Sequence, residues 1–142
     1  MLMSPKIYVD WIQPWHKKLC DLAHDHGAWV HLHSHGNINK ILEPVLESGV
    51  DMLNPWDIYE SMDLIDFLSS PASDHTIPVG GCHKFFFDWE RDKQNEYLTD
   101  LFDRAKKTGK RWMFMETGGI PEGTSRETWD FLVNRLDELA RR

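Results

Sequence analysis

The sequence predicts a single α/β domain, residues 1–142, built on a parallel sheet. Short segments with alternating apolar residues are each followed by a segment whose apolar residues recur at helical spacing. The length of 142 residues suits one domain and leaves little room for two. Hydrophobic residues make up 41% of the chain and charged residues 27%, which is typical of a globular protein with a core. Strict alternation of strands and helices implies parallel strands joined by right-handed crossovers.

The first half of the chain is predicted to contain two strands and three helices. Gly27 and Gly49 follow the first two helical patterns and are typical helix stops. Pro44 interrupts the second pattern, which predicts a kink or a short first turn. Cys20 lies on the apolar side of the first helix and is expected in the core. The predicted strands are 28–33 and 50–54, and the predicted helices are 14–26, 38–48 and 57–69.

The second half is predicted to add two strands and two helices. Gly109 is the expected cap at the end of the first of these helices. Thr124 and Glu127 have capping-box spacing and predict the start of the last helix. A single apolar stripe then follows, formed by Trp129, Leu132, Val133, Leu136, Leu139 and Ala140. The predicted strands are 76–81 and 111–115, and the earlier helix is 91–108. Four parallel strands fit an open, flavodoxin-like layer or an arc of a (β/α)₈ barrel.

Charge and hydropathy exclude two classes of partner. The chain carries 16 basic and 23 acidic residues, a net charge of −7, which argues against a nucleic-acid surface built from clustered Lys and Arg. Its apolar runs are far shorter than the roughly 20 residues of a membrane span. The first nine residues lack the pattern of a signal peptide, and the two cysteines form no CxxC pair. We therefore expect a soluble, cytoplasmic protein that binds neither nucleic acid nor membrane.

Polar groups follow all four predicted strands, at the positions where parallel α/β folds carry their sites. No P-loop, GxGxxG or GxSxG motif competes with this interpretation. The four strand ends read His33-Ser34-His35-Gly36-Asn37, Asn54-Pro55-Trp56-Asp57, Gly80-Gly81-Cys82-His83 and Glu116-Thr117-Gly118-Gly119. An aromatic run, Phe85-Phe86-Phe87 with Trp89, either lines a pocket for a flat substrate or packs against a partner surface.

Two histidines at the first strand end have the spacing of metal ligands. His33 and His35 are two residues apart and point the same way on an extended backbone, and Glu116 could complete a two-histidine, one-carboxylate set. Zinc and non-haem iron both use such a set. The alternative is that the histidines only form hydrogen bonds within a polar strand end. His31 continues their face and is expected deeper in the core, and Cys82 is an alternative ligand or nucleophile.

At these residues the sequence resembles the C-terminal half of the uroporphyrinogen decarboxylase superfamily. The resemblance covers almost the whole chain and is weakest over 70–108. The matching pieces resemble, in order, the family's Ser-Pro helix, its His-x-Cys-Gly-Asn strand end, its Gly-Val-Asp strand and its closing Gly-Ile-Pro loop and helix. They are MSPKIYVDWIQPWHKKLCDLAHDHGAWVHLHSHGN, ILEPVLESGVDMLNPWD and METGGIPEGTSRETWDFLVNRLDEL. The resemblance implies a TIM barrel, of which this chain supplies about the last four β/α units.

The superfamily implies two activities. Its porphyrinogen decarboxylases, which serve porphyrin biosynthesis, need no metal or cofactor. Its corrinoid methyltransferases bind zinc through a His-x-Cys pair and a later Cys. The His matches His33, the first Cys matches His35, and the later Cys falls near Gly118. Both thiolates are replaced here, so Glu116 would provide a harder third ligand. The decarboxylases' essential Arg and Asp belong to the N-terminal half of the barrel.

The resemblance also assigns roles to the strand ends. Zinc would be held by His33, His35 and Glu116, and a corrinoid would be substrate or partner cofactor of a methyltransferase. Glu116 and Asp57 are the candidate catalytic residues. The candidate substrate-binding residues are Asn37, Asn54, Trp56 and His83. The alternative function is a non-catalytic or truncated half-barrel module that needs a separate N-terminal half. Because a half-barrel leaves its edge strands unpaired, we expect self-association or pairing with that half.

Overall fold

The computed structural model describes residues 3–116 and 118–142, and within them the strands form one four-stranded parallel sheet. The order along the sheet is β1-β2-β3-β4, which is the order expected for an arc of a barrel and excludes the reordered strands of a flavodoxin-like sheet. The strands are β1 (His31–His33), β2 (Met52–Trp56), β3 (Ile77–Gly81) and β4 (Met113–Met115). This α/β architecture is compatible with one half of a barrel.

Six α-helical segments accompany the strands in the described residues. They are α1 (Pro5–Ile7), α2 (Gln13–Asp25), α3 (Leu42–Glu47), α4 (Leu64–Leu68), α5 (Arg91–Thr108) and α6 (Arg126–Arg141). A π-helical segment, Tyr8–Ile12, joins α1 to α2 and makes residues 5–25 one helical run. Short 3₁₀ turns occur at Asn39–Ile41, Ile58–Glu60, Pro71–Asp74 and Phe86–Asp88. None of the described helices is long and apolar enough to cross a bilayer.

The two C-terminal helices lie where the sequence predicts them. Helix α5 has the predicted bounds, and Gly109 ends it with a left-handed backbone at φ 66°. The structure corrects the residue predicted to cap α6. Ser125, and not Thr124, is the N-cap, because the Ser125 hydroxyl accepts a hydrogen bond from the Thr128 backbone N–H at 3.1 Å. The Thr124 hydroxyl instead donates to the Pro121 carbonyl at 2.8 Å.

The first helix begins nine residues earlier than predicted. Ser4 caps it by accepting a hydrogen bond from the Ile7 N–H, and Pro5 occupies the first helical position, where its missing N–H costs nothing. The Ser4-Pro5 pair is a helix-start signal that the sequence contains. It was overlooked because the start of the helix was placed from the apolar spacing alone. The Cys20 side chain is buried, as predicted.

The predicted helix over 57–69 is wrong in its middle. The chain forms a 3₁₀ turn at Ile58–Glu60, turns at Ser61 with φ 60°, and starts α4 only at Leu64. Two aspartates cause the break, since each caps the chain that follows it. The Asp57 carboxylate accepts from the Tyr59 N–H at 2.9 Å, and the Asp63 carboxylate accepts from the Ile65 N–H at 2.8 Å. Aspartate favours such local capping over a continuous helix.

The core lies between the sheet and its helices. Leu53 of β2 packs in it with apolar side chains from the helical layer, among them Tyr8, Val45, Leu64, Leu101 and Ala105. A second cluster joins the aromatic run to the last helices through Phe86, Leu98, Phe102, Leu132 and Leu139. On β1 the side chains of His31 and His33 are exposed, so the expectation that His31 lies in the core is wrong. Strand alternation places both histidines on the face opposite Leu32, which packs against the core.

Candidate functional site

A cleft of about 310 Å³ opens at the carboxyl ends of the strands, where the sequence places the site. This volume is within the range of small-molecule sites. We call it the strand-end cleft. Four predicted site residues line it, namely His35, Asp57, Cys82 and His83. The remaining lining residues are Glu60, Lys84, Phe87, Gly118, Gly119 and Pro121. The cleft thus combines carboxylates, imidazoles and one ammonium group.

Asp57 is the most deeply buried ionisable group of the cleft, with 1% of its surface exposed. Its Oδ1 accepts a hydrogen bond from the Tyr59 N–H, whereas Oδ2 has no hydrogen-bond partner in the described part of the chain. Burial raises the pKa of Asp57 because it penalises the charged carboxylate, and this outweighs the lowering by the Tyr59 N–H and by His83. A buried carboxyl with a raised pKa is suited to act as a general acid.

His35 is held by a carboxylate that the sequence interpretation missed. Its Nδ1 lies 3.0 Å from Glu60 Oε1, and the Gly36 N–H donates to Glu60 Oε2 at 2.8 Å. The pair therefore ties the end of β1 to the turn after β2. Because Glu60 engages Nδ1, the remaining nitrogen of His35, Nε2, is available to a ligand or a proton. The signal for Glu60 was weak, since it lay within a predicted helix.

His83 lies among aromatic rings at the mouth of the cleft. Its Nδ1 accepts a hydrogen bond from the Phe85 N–H at 3.1 Å, which assigns the ring proton of the neutral form to Nε2. The Trp89 ring is 4.7 Å from its own, and the rings of Tyr59, Phe85 and Tyr97 also surround it. The Lys84 ammonium lies 4.5 Å from the centre of the Tyr59 ring. Of the predicted aromatic run, Phe87 lines the cleft, whereas Phe86 is buried in the core of the chain itself, which neither interpretation predicted.

Cys82 is buried beneath the cleft and disfavours ionisation. Burial, together with the nearby Glu116 and Asp57 carboxylates, raises the pKa of its thiol to about 12. Its sulfur lies 3.8 Å from the His83 carbonyl oxygen. A thiol in this environment stays protonated at neutral pH, and the thiolate is the form that attacks substrates and binds metals.

Glu116 organises the loop after β4. Its Oε2 accepts hydrogen bonds from the Gly118 N–H, at 2.8 Å, and from the Gly119 N–H. Both glycines line the strand-end cleft, so the hydrogen bonds of Glu116 hold part of the cleft wall in place. Thr117, in the same predicted strand end, lies outside the described residues.

The three other residues predicted to bind substrate lie apart from the cleft lining. Asn54 is buried beside β4, and its Nδ2 contacts the Met115 sulfur at 3.4 Å. Trp56 is buried and packs its ring on Phe67, with ring centres 4.2 Å apart. Asn37 is exposed, and its side-chain oxygen accepts from the Asn39 N–H at 3.0 Å in a local turn.

Two of the three ligands predicted for a metal ion lie together in the structure. The rings of His33 and His35 are adjacent, with centres 4.8 Å apart. The Glu116 carboxylate instead accepts a hydrogen bond from the Gly118 N–H. The residues that the structure describes contain no group of three His, Cys, Asp or Glu arranged to hold an ion. The third ligand proposed from the sequence is therefore not in place in this conformation.

Comparison with known proteins adds no family. No known protein-family model matches the chain, and no curated protein resembles it significantly in sequence.

Proposed function

We propose that the chain is a uroporphyrinogen decarboxylase-like half-barrel whose strand-end cleft transfers protons during decarboxylation of a carboxylated tetrapyrrole. The observation that carries the proposal is Asp57, a buried carboxyl with a raised pKa that lines the cleft and has one oxygen without a hydrogen-bond partner in the described chain. The cationic and aromatic groups beside it, Lys84 and Phe87, suit a flat ligand that bears carboxylates.

The chemistry requires a proton at one carbon. In decarboxylation the bond to the carboxylate carbon breaks, CO₂ leaves, and the electron pair stays on the substrate carbon, which then takes up a proton. Protonated Asp57 supplies that proton and recovers one from water. Glu60 contacts Nδ1 of His35 and leaves its Nε2 free of that contact. His35 is therefore the second group of the cleft able to exchange a proton.

Turnover by an Asp57→Asn variant tests this role. With uroporphyrinogen as substrate and products separated by chromatography, the variant should be at least ~100-fold slower than wild type, the usual contribution of a positioned general acid. Asp66→Asn is the matched control, because Asp66 lies on α4 outside the cleft lining. Equal rates for wild type and Asp57→Asn would remove Asp57 from the mechanism. Absence of both binding and turnover in wild type would contradict the proposed substrate class.

A second candidate is metal-assisted methyl transfer involving a corrinoid, and the adjacent His33 and His35 rings favour it. Zinc would bind these imidazoles and would act as a Lewis acid. The described donors fit it only in part, because Glu116 binds the glycine loop.

Zinc binding separates the two candidates. If the second is correct, zinc should copurify with the protein, and His33→Ala should weaken its binding at least ~10-fold. His75→Ala is the control, because His75 lies near the start of β3, away from the strand-end cleft. Elemental analysis and zinc titration would measure both. A wild-type protein that retains no zinc would eliminate this candidate.

The alternative to an independent enzyme is a module that works with a separate N-terminal half-barrel. The open ends of the sheet support it, because β1 and β4 are its two edge strands in the described chain. Such edges present unpaired backbone groups and invite pairing. Binding of uroporphyrin by the chain without turnover of uroporphyrinogen would favour the module over the enzyme.

A further inference from the structure

The N-terminal helical run, residues 5–25, carries a line of exposed apolar side chains that we call the helix stripe. Trp15 is at its centre and is 63% exposed. The stripe consists of Ile7, Trp11, Trp15, Leu19 and Leu22, all exposed. An isolated exposed apolar residue is ordinary, whereas a contiguous patch with two tryptophans marks an interaction surface.

The helical run is anchored so that the stripe faces outward. Tyr8 and Cys20 are buried on its inner side, and Gln13 donates from Nε2 to the Pro44 carbonyl at 2.9 Å. Four-residue steps along an α-helix drift by about 40° each, which would wind the stripe around the helix. The π-helical segment Tyr8–Ile12 turns less per residue and offsets part of this drift. The side chains therefore stay on one side over the whole run.

The charges beside the stripe argue for a protein surface and against a membrane. Lys6 pairs with Asp10 at 2.6 Å, and Lys17 pairs with Asp21 at 3.1 Å, so each end of the helix carries both signs. A helix that binds anionic lipid is rich in Lys and Arg on its polar face, and the whole chain here has a net charge of −7.

We propose that the helix stripe is a homodimer interface, in which it packs antiparallel on the same stripe of a second copy, with the two-fold axis at Trp15. The order of side chains is symmetric about that residue. Trp11 and Leu19 lie four positions to either side, and Ile7 and Leu22 lie eight and seven positions away. A two-fold axis therefore matches apolar groups along the full length, as an isologous interface requires.

The area is sufficient for a dimer. Two exposed tryptophans and three exposed aliphatic side chains offer on the order of 600 Å² per copy. If all of it were covered, two copies would bury at most about 1,200 Å², which reaches the lower bound of stable protein–protein interfaces. The stripe shares no residue with the strand-end cleft, so this inference does not depend on the proposed chemistry.

Sedimentation velocity over a concentration series tests the interface. Wild type should be a dimer at tens of micromolar, and Trp15→Glu should raise the dimer dissociation constant at least ~10-fold, because it removes the central indole and places a carboxylate in the apolar contact. Trp29→Glu is the matched control, since Trp29 is 66% exposed and lies outside the helical run, and it should remain dimeric. Circular dichroism would verify that both variants are folded.

Cross-linking tests the antiparallel geometry. A short bismaleimide should join Trp15→Cys to itself, because the two sites meet at the axis, while native Cys20 and Cys82 are buried. Ile7→Cys should not join to itself, but should join to Leu22→Cys in a mixture. A monomeric wild type would overturn the proposal, as would a dimer that Trp15→Glu leaves intact. Cross-linking of Ile7→Cys to itself would overturn the antiparallel arrangement.

Discussion

Replacing Gly80 by alanine should unfold the protein. Gly80 has φ 153°, and a Cβ atom there would lie 2.7 Å from the Trp56 carbonyl oxygen and 2.9 Å from Trp56 Cα. These are backbone atoms of the neighbouring strand, paired in register with Gly80, and they cannot move without separating β2 from β3. We expect a loss of at least ~4 kcal/mol in the free energy of unfolding, comparable to the whole stability of a small domain.

Thermal unfolding followed by circular dichroism measures this loss. The melting temperature of Gly80→Ala should fall by more than ~10 °C, or no cooperative transition should remain. Gly118→Ala is the control, because its Cβ would meet nothing within 4 Å. That variant should lie within ~0.5 kcal/mol of wild type. A Gly80→Ala protein that melts like wild type would mean that β2 and β3 do not approach as described.

Replacing Asp57 by asparagine should stabilise the protein at neutral pH. Burial raises the pKa of Asp57 in the folded state, so folding favours the protonated carboxyl. The stability that such a group contributes to the fold decreases as the pH rises from its unfolded pKa, near ~3.9, through its folded pKa. The reason is that the folded state must then bury a charge. Asparagine keeps the oxygen that accepts from Tyr59 and carries no charge. The same change that removes the proposed proton donor should therefore make the fold more stable.

Asp51→Asn is the matched contrast and should have the opposite sign. Partial burial acts to raise the Asp51 pKa, but the Val30 N–H at 2.7 Å and His24 at 2.9 Å lower it overall. A lowered pKa contributes stability that is present above the unfolded pKa and lost as the pH falls through the folded pKa. Urea unfolding of the three proteins between pH 2 and 7 would show Asp51→Asn falling behind wild type as the pH rises towards the unfolded pKa, near ~3.9, and Asp57→Asn gaining on wild type as the pH rises above it. Parallel curves for Asp57→Asn and wild type would contradict the raised pKa.

Local patterns were sufficient for much of the fold. Helix α5 has the predicted bounds because a single apolar stripe runs along it and Gly109 marks its end, so both signals indicate the same helix. The parallel direction of the strands follows from the alternation of strands and helices, whereas their sequential order was expected only from the resemblance to a barrel family. Prediction failed where side chains competed for the same backbone groups. Asp63 starts α4 late, and Ser125 displaces Thr124 as the cap of α6.

The candidate site was predictable as a place and only partly as a set of residues. His35, Asp57, Cys82 and His83 line one cleft because each follows a strand, and parallel strands end at the same edge of a sheet. Glu60 was missed, because its contact with His35 depends on the path of the turn after β2. Sequence position alone also grouped Trp56 with these residues, although its ring packs on Phe67 in the core.

The sequence by itself determined that strands alternate with helices, that the strands are parallel and at which edge polar groups gather, because these follow from hydrophobic periodicity and from the order of the elements. Only the tertiary structure decided the chemical state of those groups. Asp57 has a raised pKa because the packed chain buries it, and Glu60 contacts His35 because the fold brings the turn after β2 to the end of β1. Burial and hydrogen bonding depend on neighbours that are distant in sequence, and no local pattern specifies them.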